Sequence, residues 1–292
     1  MTRHSKEVHP ETLHMRGARS QIQGRFESVA REAFDDGWTP EEKSRTELQT
    51  QVSIERARSI MSHNDSPDVG FDRSINPYRG CEHGCIYCYA RPSHAYLELS
   101  PGLDFETKLF AKTNAAELLR ETLAKPGYAP QPIALGANTD CYQPIERKFR
   151  ITRQILELLA ECEHPVTLVT KSALVERDLD LLAPMAQKNL VKVFVSIGTL
   201  ERDLARKLEP RAASPQRRLD VLKNLSRNNV PCGVMVAALI PALNDKTMEQ
   251  VLEAAAQAGA SEAAYVIMRL PNELKDLFKE WLATHYPQRA EH

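Results

Sequence analysis

Short apolar segments rich in β-branched residues alternate with segments of helical periodicity from about residue 74 onward. The apolar segments predict strands over Ser74–Arg79, Pro132–Ala137, Val166–Lys171, Val191–Gly198, Gly233–Leu239 and Ala263–Arg269. The segments between and after them predict helices over Thr113–Leu123, Thr152–Cys162, Arg177–Lys188, Pro215–Asn228, Lys246–Ala258 and Glu273–His285. In the second of these helices, Ile155, Leu158, Leu159 and Cys162 share one face.

This alternation predicts a parallel sheet with right-handed crossovers. The six predicted βα units are too few for a closed eight-stranded barrel, so the expected fold class is α/β, a partial (βα)6 TIM-type barrel. Residues 1–70 are polar, with little apolar periodicity before Ile54 to Met61. We therefore expect an irregular N-terminal extension over 1–70, with one or two short helices, followed by a core domain over 71–292. Ligands of such folds bind at the carboxyl ends of the strands.

Composition excludes several classes of protein. The chain has 292 residues, 42% of them hydrophobic, and 38 Lys+Arg balance 39 Asp+Glu. A dedicated nucleic-acid binder would normally carry a basic excess. The longest apolar run, Gly233 to Leu243, is too short to span a membrane, and the N-terminus lacks the apolar core of a signal peptide. A soluble, cytoplasmic protein is expected.

The strongest chemical signal is a C-x₃-C-x₂-C motif formed by Cys81, Cys85 and Cys88, directly after the first predicted strand. Three thiolates this close can converge on one metal centre, and Gly80 and Gly84 give the backbone freedom to wrap it. An iron–sulfur cluster held by three thiolates keeps one iron open for a substrate or cofactor. The alternative is zinc with His83 or His94 as the fourth ligand, but no second Cys/His pair follows at a distance. Cys162 and Cys232 lie in apolar patterns and are expected to be inert core thiols.

With Tyr87 before its last cysteine, this motif resembles the signature of the radical S-adenosylmethionine (radical SAM) enzymes. The resemblance extends over roughly residues 74 to 281 and is closest to uncharacterised bacterial members of the spore photoproduct lyase-like branch. It is carried by Val169-Thr170-Lys171, Val195-Ser196-Ile197, Leu208-Glu209-Pro210 and Leu239-Ile240-Pro241 with Asn244-Asp245.

The resemblance implies a [4Fe-4S] cluster ligated by Cys81, Cys85 and Cys88, with S-adenosylmethionine chelating the fourth iron. It also implies roles for further residues: Thr139 and Asp140 near the ammonium of S-adenosylmethionine, Lys171 at its carboxylate, Ser196 at its ribose, and the backbone of Tyr87 at its adenine. The implied reaction is reductive cleavage of S-adenosylmethionine to a 5′-deoxyadenosyl radical, which abstracts hydrogen from an unidentified substrate. A reductant such as flavodoxin or ferredoxin would supply the electron.

Each of these residues also has a structural interpretation. The less favoured interpretations are that Asp140 caps the turn Asn138-Thr139-Asp140 and that Lys171 ends a strand in solvent. Ser196 is small enough for core packing, and Glu209-Pro210-Arg211 is a helix-stop sequence.

Two other functions remain open at this stage. A nucleic-acid repair lyase is suggested by the related family and by the basic cluster Arg147, Lys148, Arg150 and Arg153, although such a run more often begins a solvated helix. A non-catalytic iron–sulfur protein would have no use for Lys171 or Ser196. Cys141 follows Asp140 and is expected near the open mouth of the barrel, either as a hydrogen donor or as a half-buried turn residue. In spore photoproduct lyases the donor cysteine precedes the acidic position, where this chain has Ala137.

Overall fold

The computed structural model describes residues 6–7, 16–27, 48–65 and 70–289 of the chain. Its strands are β1 (Lys6–Glu7), β2 (Ser20–Gln21), β3 (Gln51–Glu55), β4 (Met61–His63), β5 (Arg73–Ile75), β6 (Tyr78–Arg79), β7 (Lys108–Lys112), β8 (Ile133–Leu135), β9 (Val166–Thr170), β10 (Val191–Ser196), β11 (Cys232–Leu239) and β12 (Glu262–Ile267). Seven of them form one sheet in the order β12-β11-β10-β9-β8-β5-β4. Only β4 pairs antiparallel in this sheet; the other neighbours are parallel. A second sheet has the order β3-β7-β6, and β1 pairs with β2.

Helices lie in each connection between successive parallel strands of the large sheet, and one more follows β12. They are α1 (Asp104–Thr107), α2 (Ala115–Leu123), α3 (Glu146–Phe149), α4 (Ile151–Glu161), α5 (Leu179–Gln187), α6 (Arg202–Leu208), α7 (Pro215–Arg227), α8 (Met248–Gln257) and α9 (Leu274–His285). Short 3-10 helices cover Arg91–Leu97, Ala173–Asp178, Asp245–Thr247 and Pro287–Arg289. Within the described residues, no helix combines the length and apolar character needed to cross a membrane.

The main apolar core lies between the parallel strands and their crossover helices. Val193 and Val195 of β10 are fully buried in this core, together with Ile155 and Leu159 of α4. The spacing of four residues places Ile155 and Leu159 on one helix face, as the sequence predicts. Burying a side chain of this size contributes about 1.5–3 kcal/mol, so the apolar stripe fixes how α4 lies on the sheet. Cys162 follows the last turn of α4 and is exposed, so its expected place in the core is wrong.

The α/β class and the succession of parallel strands and helices are confirmed, with element ends moved by a few residues. The first predicted strand is divided, because β5 ends at Ile75 and β6 begins at Tyr78. Pro77 lies between them and has no N–H to continue a ladder. β6 then pairs with β7, a strand that the hydrophobic pattern does not predict.

The last strand, β12, departs from the expectation of an apolar strand covered by helices. It lies at the edge of the seven-stranded sheet, and Tyr265, Val266 and Ile267 are 62%, 47% and 57% exposed. The following helix, α9, packs elsewhere. Its Trp281 donates a hydrogen bond from Nε1 to the Lys207 carbonyl at 3.0 Å.

The N-terminal region contributes a segment, residues 16–27, that packs beside α9. Ala18 and Ile22 share an apolar cluster with Leu277 and Trp281 of α9. The hydroxyl of Ser20 also donates to Glu280 at 2.6 Å. In 1–70, the described stretches contain the short strands β1 to β4 where one or two helices are expected; the rest of that range lies outside the described residues.

A fully buried ion pair, Arg91–Glu106, joins this segment to the cysteine motif. Arg91 Nη2 lies 2.5 Å from Glu106 Oε1. The Glu106 carboxylate also accepts the backbone N–H groups of Gly17 at 3.0 Å and Ala18 at 2.8 Å. A Cβ atom on Gly17 would lie 1.7 Å from the Gly84 carbonyl oxygen, so only glycine permits this approach.

Replacing Glu106 by Gln should destabilise the fold strongly, because Arg91 would keep a buried charge without its counterion. Breaking a buried pair from one side costs about 3–5 kcal/mol. Urea denaturation followed by circular dichroism measures the change. The matched control is Glu161→Gln, which removes an exposed partner of Arg120 and should leave the midpoint unchanged. Equal denaturation midpoints for the two variants would show that the buried pair does not stabilise the fold more than the exposed one.

Candidate active site

The cysteine loop, residues 80–89, is wound tightly at the carboxyl-terminal side of β6. Backbone hydrogen bonds close two turns, from Gly84 N to Cys81 O at 3.4 Å and from Cys88 N to Cys85 O at 3.2 Å. Gly84 has a φ of +69°, and a Cβ atom there would lie 2.7 Å from Glu106 Oε2. Cys81 and Cys85 are buried and Cys88 is half-buried. The three thiols therefore sit in a single loop that is largely closed to solvent.

The thiols influence one another electrostatically. Burial raises the pKa of the Cys81 thiol well above its usual value, and Asp140, Cys85 and Cys88 raise it further. Burial likewise raises the pKa of Cys85 to about 12, although Lys171 acts in the opposite direction. A bound cation would favour the thiolate forms that these surroundings disfavour. Three thiols in one loop, two of them buried and one half-buried, fit an iron–sulfur cluster, for which cysteine thiolates are the usual ligands.

Both histidines considered as zinc ligands have other partners. His83 Nδ1 lies 3.4 Å from Asp140 Oδ2, and His94 Nε2 lies 2.9 Å from the Lys108 carbonyl. Burial lowers the pKa of His94 to about 4, so its ring is neutral at physiological pH. Among the described residues, no three or more His, Cys, Asp or Glu side chains are spaced to hold a single metal ion.

Two side chains that sequence reasoning missed hold the loop in place. Arg91 donates to the carbonyls of Gly84 at 3.2 Å and Cys85 at 2.9 Å. Gln143 accepts from Glu82 N and donates to Gly80 O, both at 3.0 Å. These are contacts between side chains and backbone groups, local in sequence for Arg91 and more than sixty residues apart for Gln143, and neither residue belongs to a motif. Nothing in the local sequence pattern identifies them.

Asp140, at the end of the β8 unit, is the centre of a hydrogen-bond network. Oδ1 accepts from Tyr142 N at 2.8 Å and Thr170 Oγ1 at 2.7 Å, and Oδ2 accepts from Lys171 N at 2.7 Å. Burial opposes its charge, but the nearby His83 and these donors lower the pKa of Asp140 to about 2. The carboxylate is therefore ionised and connects the cysteine loop to the end of β9.

Lys171, just past β9, is half-buried beside the cysteine loop. Its Nζ lies 5.9 Å from the centre of the Tyr87 ring. Burial opposes its charge, but Cys85 and Glu209 outweigh this effect and raise the pKa of Lys171. Its ammonium is therefore charged and lies near the thiols. Lys171 is half-buried and does not simply end β9 in solvent.

Glu209, which the sequence marks chiefly as a helix stop, is buried at the same place. It accepts hydrogen bonds from the hydroxyl of Tyr87 and from Arg218. Arg218 also donates to the Ser196 carbonyl at 2.9 Å and the Ala213 carbonyl at 2.7 Å. The end of β10 is thereby fastened to the cysteine loop through two buried charges of opposite sign.

The remaining predicted site residues lie around the same edge of the sheet. Ser196 is 1% exposed at the end of β10, and its position does not exclude core packing. The hydroxyl of Thr139 donates to the Tyr78 carbonyl at 2.9 Å. Tyr87 OH lies 3.5 Å from the Ala237 carbonyl in β11. The structure thus brings the ends of β8, β9, β10 and β11 together with the cysteine loop.

Cys141 follows Asp140 but is closed to solvent. It is fully buried in the main apolar core, and burial raises the pKa of its thiol well above the usual value. Its carbonyl accepts a hydrogen bond from Thr152 Oγ1 at 2.6 Å, so the residue lies beneath the start of α4. The expected position near an open mouth is therefore wrong.

The basic cluster after β8 is divided in the structure. Arg153 pairs with Asp178 at 2.9 Å and with Asp180 at 2.7 Å. Arg147, Lys148 and Arg150 are exposed around the short helix α3. The surface therefore carries three of the four charges, and the fourth anchors α4 to α5.

Comparison with known proteins decides the family. Residues 75–255 match the family model of the Radical SAM superfamily. The chain belongs to the radical SAM superfamily. An uncharacterized protein of Mycobacterium bovis is 38% identical over 220 residues, covering 75% of this radical SAM chain and 65% of the relative. An uncharacterized protein of Methanocaldococcus jannaschii is 26% identical over 244 residues, covering 84% of this chain and 88% of that protein. The chain thus spans 65% of the length of the mycobacterial relative.

Solved structures support the same fold for this radical SAM protein. A spore photoproduct lyase mutant with bound AdoMet and dinucleoside spore photoproduct superimposes with a TM-score of 0.60 at 15% sequence identity. The match covers 81% of this chain and 66% of that chain. A second lyase mutant gives a TM-score of 0.58 with the same coverage. The resemblance found in the sequence motifs is confirmed at the level of the fold.

In this radical SAM protein, replacing Asp140 by Asn should lower the free energy of unfolding by about 1–3 kcal/mol, because a buried donor loses its acceptor. The folded-state pKa of Asp140, about 2, lies below its usual 3.8, so its contribution is complete above that usual value. The contribution disappears as the pH falls toward 2. The unfolding free energies of the wild type and the variant, measured by urea titration at several pH values, should therefore converge in acid. A difference in unfolding free energy between the two proteins that stays constant with pH would show that the charge of Asp140 does not stabilise the fold.

Proposed function

We propose that this chain is a radical SAM enzyme whose Cys81, Cys85 and Cys88 hold a [4Fe-4S] cluster. The observation that supports this most directly is the grouping of three thiols in one loop beside the charged Lys171, whose ammonium contacts no carboxylate of the described residues. When bound, the cluster supplies the electron that cleaves S-adenosylmethionine to methionine and a 5′-deoxyadenosyl radical, which takes a hydrogen atom from the substrate.

The residues at the strand ends would bind and orient S-adenosylmethionine. Lys171 presents an ammonium suited to the carboxylate, since a charge-assisted hydrogen bond contributes more than a neutral one. Thr139 would lie near the amino group of S-adenosylmethionine. Ser196 would bond the ribose, and the backbone of Tyr87 would contact the adenine. We further propose that the six parallel strands curve into a partial barrel, which brings these groups around one pocket.

Asp140 would act in this site as a fixed negative charge near the amino group. Its two oxygens already accept from backbone and side-chain donors within the chain. A carboxylate offers about four lone-pair sites, so little capacity remains for a further direct hydrogen bond. Its electrostatic field nevertheless favours an ammonium nearby, and its network keeps His83 and Lys171 in place.

Apolar side chains around the cysteine loop would keep water from the reacting atoms. Ile86, Leu204, Leu208 and Ile240 are buried in one cluster with Cys85 and Tyr87. Excluding water strengthens electrostatic interactions in the pocket and limits side reactions of a radical. The proposed cluster also requires a reduced compartment and a donor such as flavodoxin or ferredoxin, in keeping with a cytoplasmic enzyme.

The substrate class is the open part of the proposal. A nucleic-acid lesion is favoured by one observation, the exposed Arg147, Lys148 and Arg150 on α3, together with the fold shared with spore photoproduct lyase. The net charge of −1 gives no broader basic surface. Incubating the reduced enzyme with S-adenosylmethionine and either lesion-bearing oligonucleotides or cell extract, and measuring 5′-deoxyadenosine, tests this choice.

Replacing Cys81, Cys85 or Cys88 by Ala should abolish the oxygen-labile brown chromophore after anaerobic reconstitution, because each loses one of three ligands. Visible absorption and iron analysis measure the effect. Cys162→Ala and Cys232→Ala are the controls and should keep full iron content, since neither lies in the loop. Reconstituted wild-type protein that takes up zinc and no iron would end the proposal.

Replacing Lys171 or Ser196 by Ala should weaken binding of S-adenosylmethionine while leaving the iron content unchanged. A lost charge-assisted hydrogen bond costs about 1.5–3 kcal/mol, or roughly ten- to a hundredfold in affinity. Anaerobic calorimetry on the reconstituted protein measures this. Lys188→Ala, which removes an exposed partner of Glu163, is the control. Wild-type protein that binds no S-adenosylmethionine would favour a non-catalytic iron–sulfur protein instead.

A further inference from the structure

The ammonium of Lys171 has no acidic partner although carboxylates lie nearby. Among residues 16–27, 48–65 and 70–289, no carboxylate oxygen comes within 4.0 Å of Lys171 Nζ, which lies 5.9 Å from the centre of the Tyr87 ring. Glu209 contacts the hydroxyl of that same tyrosine. A half-buried lysine so close to a buried glutamate would ordinarily pair with it.

Arg218 explains why the pair does not form. One oxygen of Glu209 accepts from Tyr87, and the other accepts from Arg218 Nη2. Arg218 is itself fixed, because its Nε and Nη1 donate to the carbonyls of Ala213 and Ser196. The side chains of Arg218 and Glu209 are 2% and 5% exposed, so neither exchanges freely with solvent.

The other nearby carboxylate is engaged as well. Both oxygens of Asp140 accept hydrogen bonds, including one from the backbone N–H of Lys171 itself. Arg218 cancels the charge of Glu209, and His83 lies against Asp140. Lys171 is therefore a positive charge that these acids do not contact, and an anionic ligand group would complete it.

We propose that Arg218 is a positioning residue that keeps Glu209 away from Lys171, so that the Lys171 ammonium stays available for the carboxylate of S-adenosylmethionine. This inference rests on the function proposed above. In the absence of Arg218, the freed oxygen of Glu209 would compete with the ligand for Lys171. Removing Glu209 as well would remove the competitor.

The test compares Arg218→Gln, Glu209→Gln and the double variant, each reconstituted anaerobically and titrated with S-adenosylmethionine. Arg218→Gln should bind roughly tenfold more weakly or worse, the scale of one charge-assisted hydrogen bond. Glu209→Gln should bind no more weakly than the wild type, because Lys171 remains unpaired. The double variant should return to about the wild-type affinity. A merely structural role would weaken all three, with the double variant weakest.

Two further measurements sharpen the result. Decarboxylated S-adenosylmethionine lacks the group that Lys171 would bind, so Arg218→Gln should leave its affinity unchanged. Arg177→Gln removes a different internal partner of buried acids, Glu146 and Asp178, and should lower stability without changing the affinity for S-adenosylmethionine.

Recovery of the wild-type affinity in the double variant distinguishes the proposed role of Arg218 from a merely structural one. A double variant as weak as Arg218→Gln, or a Glu209→Gln variant equally weak, would overturn it. If Arg218→Gln does not fold, weaker binding by the double variant than by Glu209→Gln would still overturn the inference, because it would show that Arg218 acts other than through Glu209. Wild-type protein without a cluster or without affinity for S-adenosylmethionine would instead refute the proposed function.

Discussion

The buried pair of Arg91 and Glu106 is the interaction on which the cysteine loop depends. Arg91 follows Cys88 by three residues, yet its guanidinium returns to the carbonyls of Gly84 and Cys85. Glu106 holds the backbone of Gly17 and Ala18 at the same point. One ion pair thus fixes the curvature of a loop that has little regular structure and joins it to a segment more than sixty residues away in sequence.

The same principle recurs at the strand ends, where nearly every buried charge has internal partners. Asp140, Glu209 and Arg218 each make several hydrogen bonds within the chain, as buried ionised groups must. Among the charged groups that the structure describes at these strand ends, half-buried Lys171 is the exception. An exception among satisfied neighbours is informative, because the fold has the acids needed to neutralise it and directs them elsewhere.

Hydrophobic pattern predicted the parallel strands and crossover helices because both depend on local periodicity, as in Ile155 and Leu159 of α4. The cysteine spacing located the loop for a similar reason, since its ligands are close in sequence. Arg91, Gln143 and Glu106 escaped prediction because their roles arise from contacts across the chain. Periodicity does not resolve where an element ends, and a shift of one residue there moves a side chain between core and surface. The burial of Cys141 and Cys162 was therefore predicted wrongly.

β12 has a consequence for how the protein behaves in solution. Its stretch from Ala263 to Ile267 contains no charge and no proline, and it forms the rim of the large sheet. Backbone groups along such a rim are a template for strands of other molecules, and aromatic and β-branched side chains favour that pairing. An exposed apolar edge of this kind lowers the colloidal stability of a protein, whereas the buried core sets its folding stability.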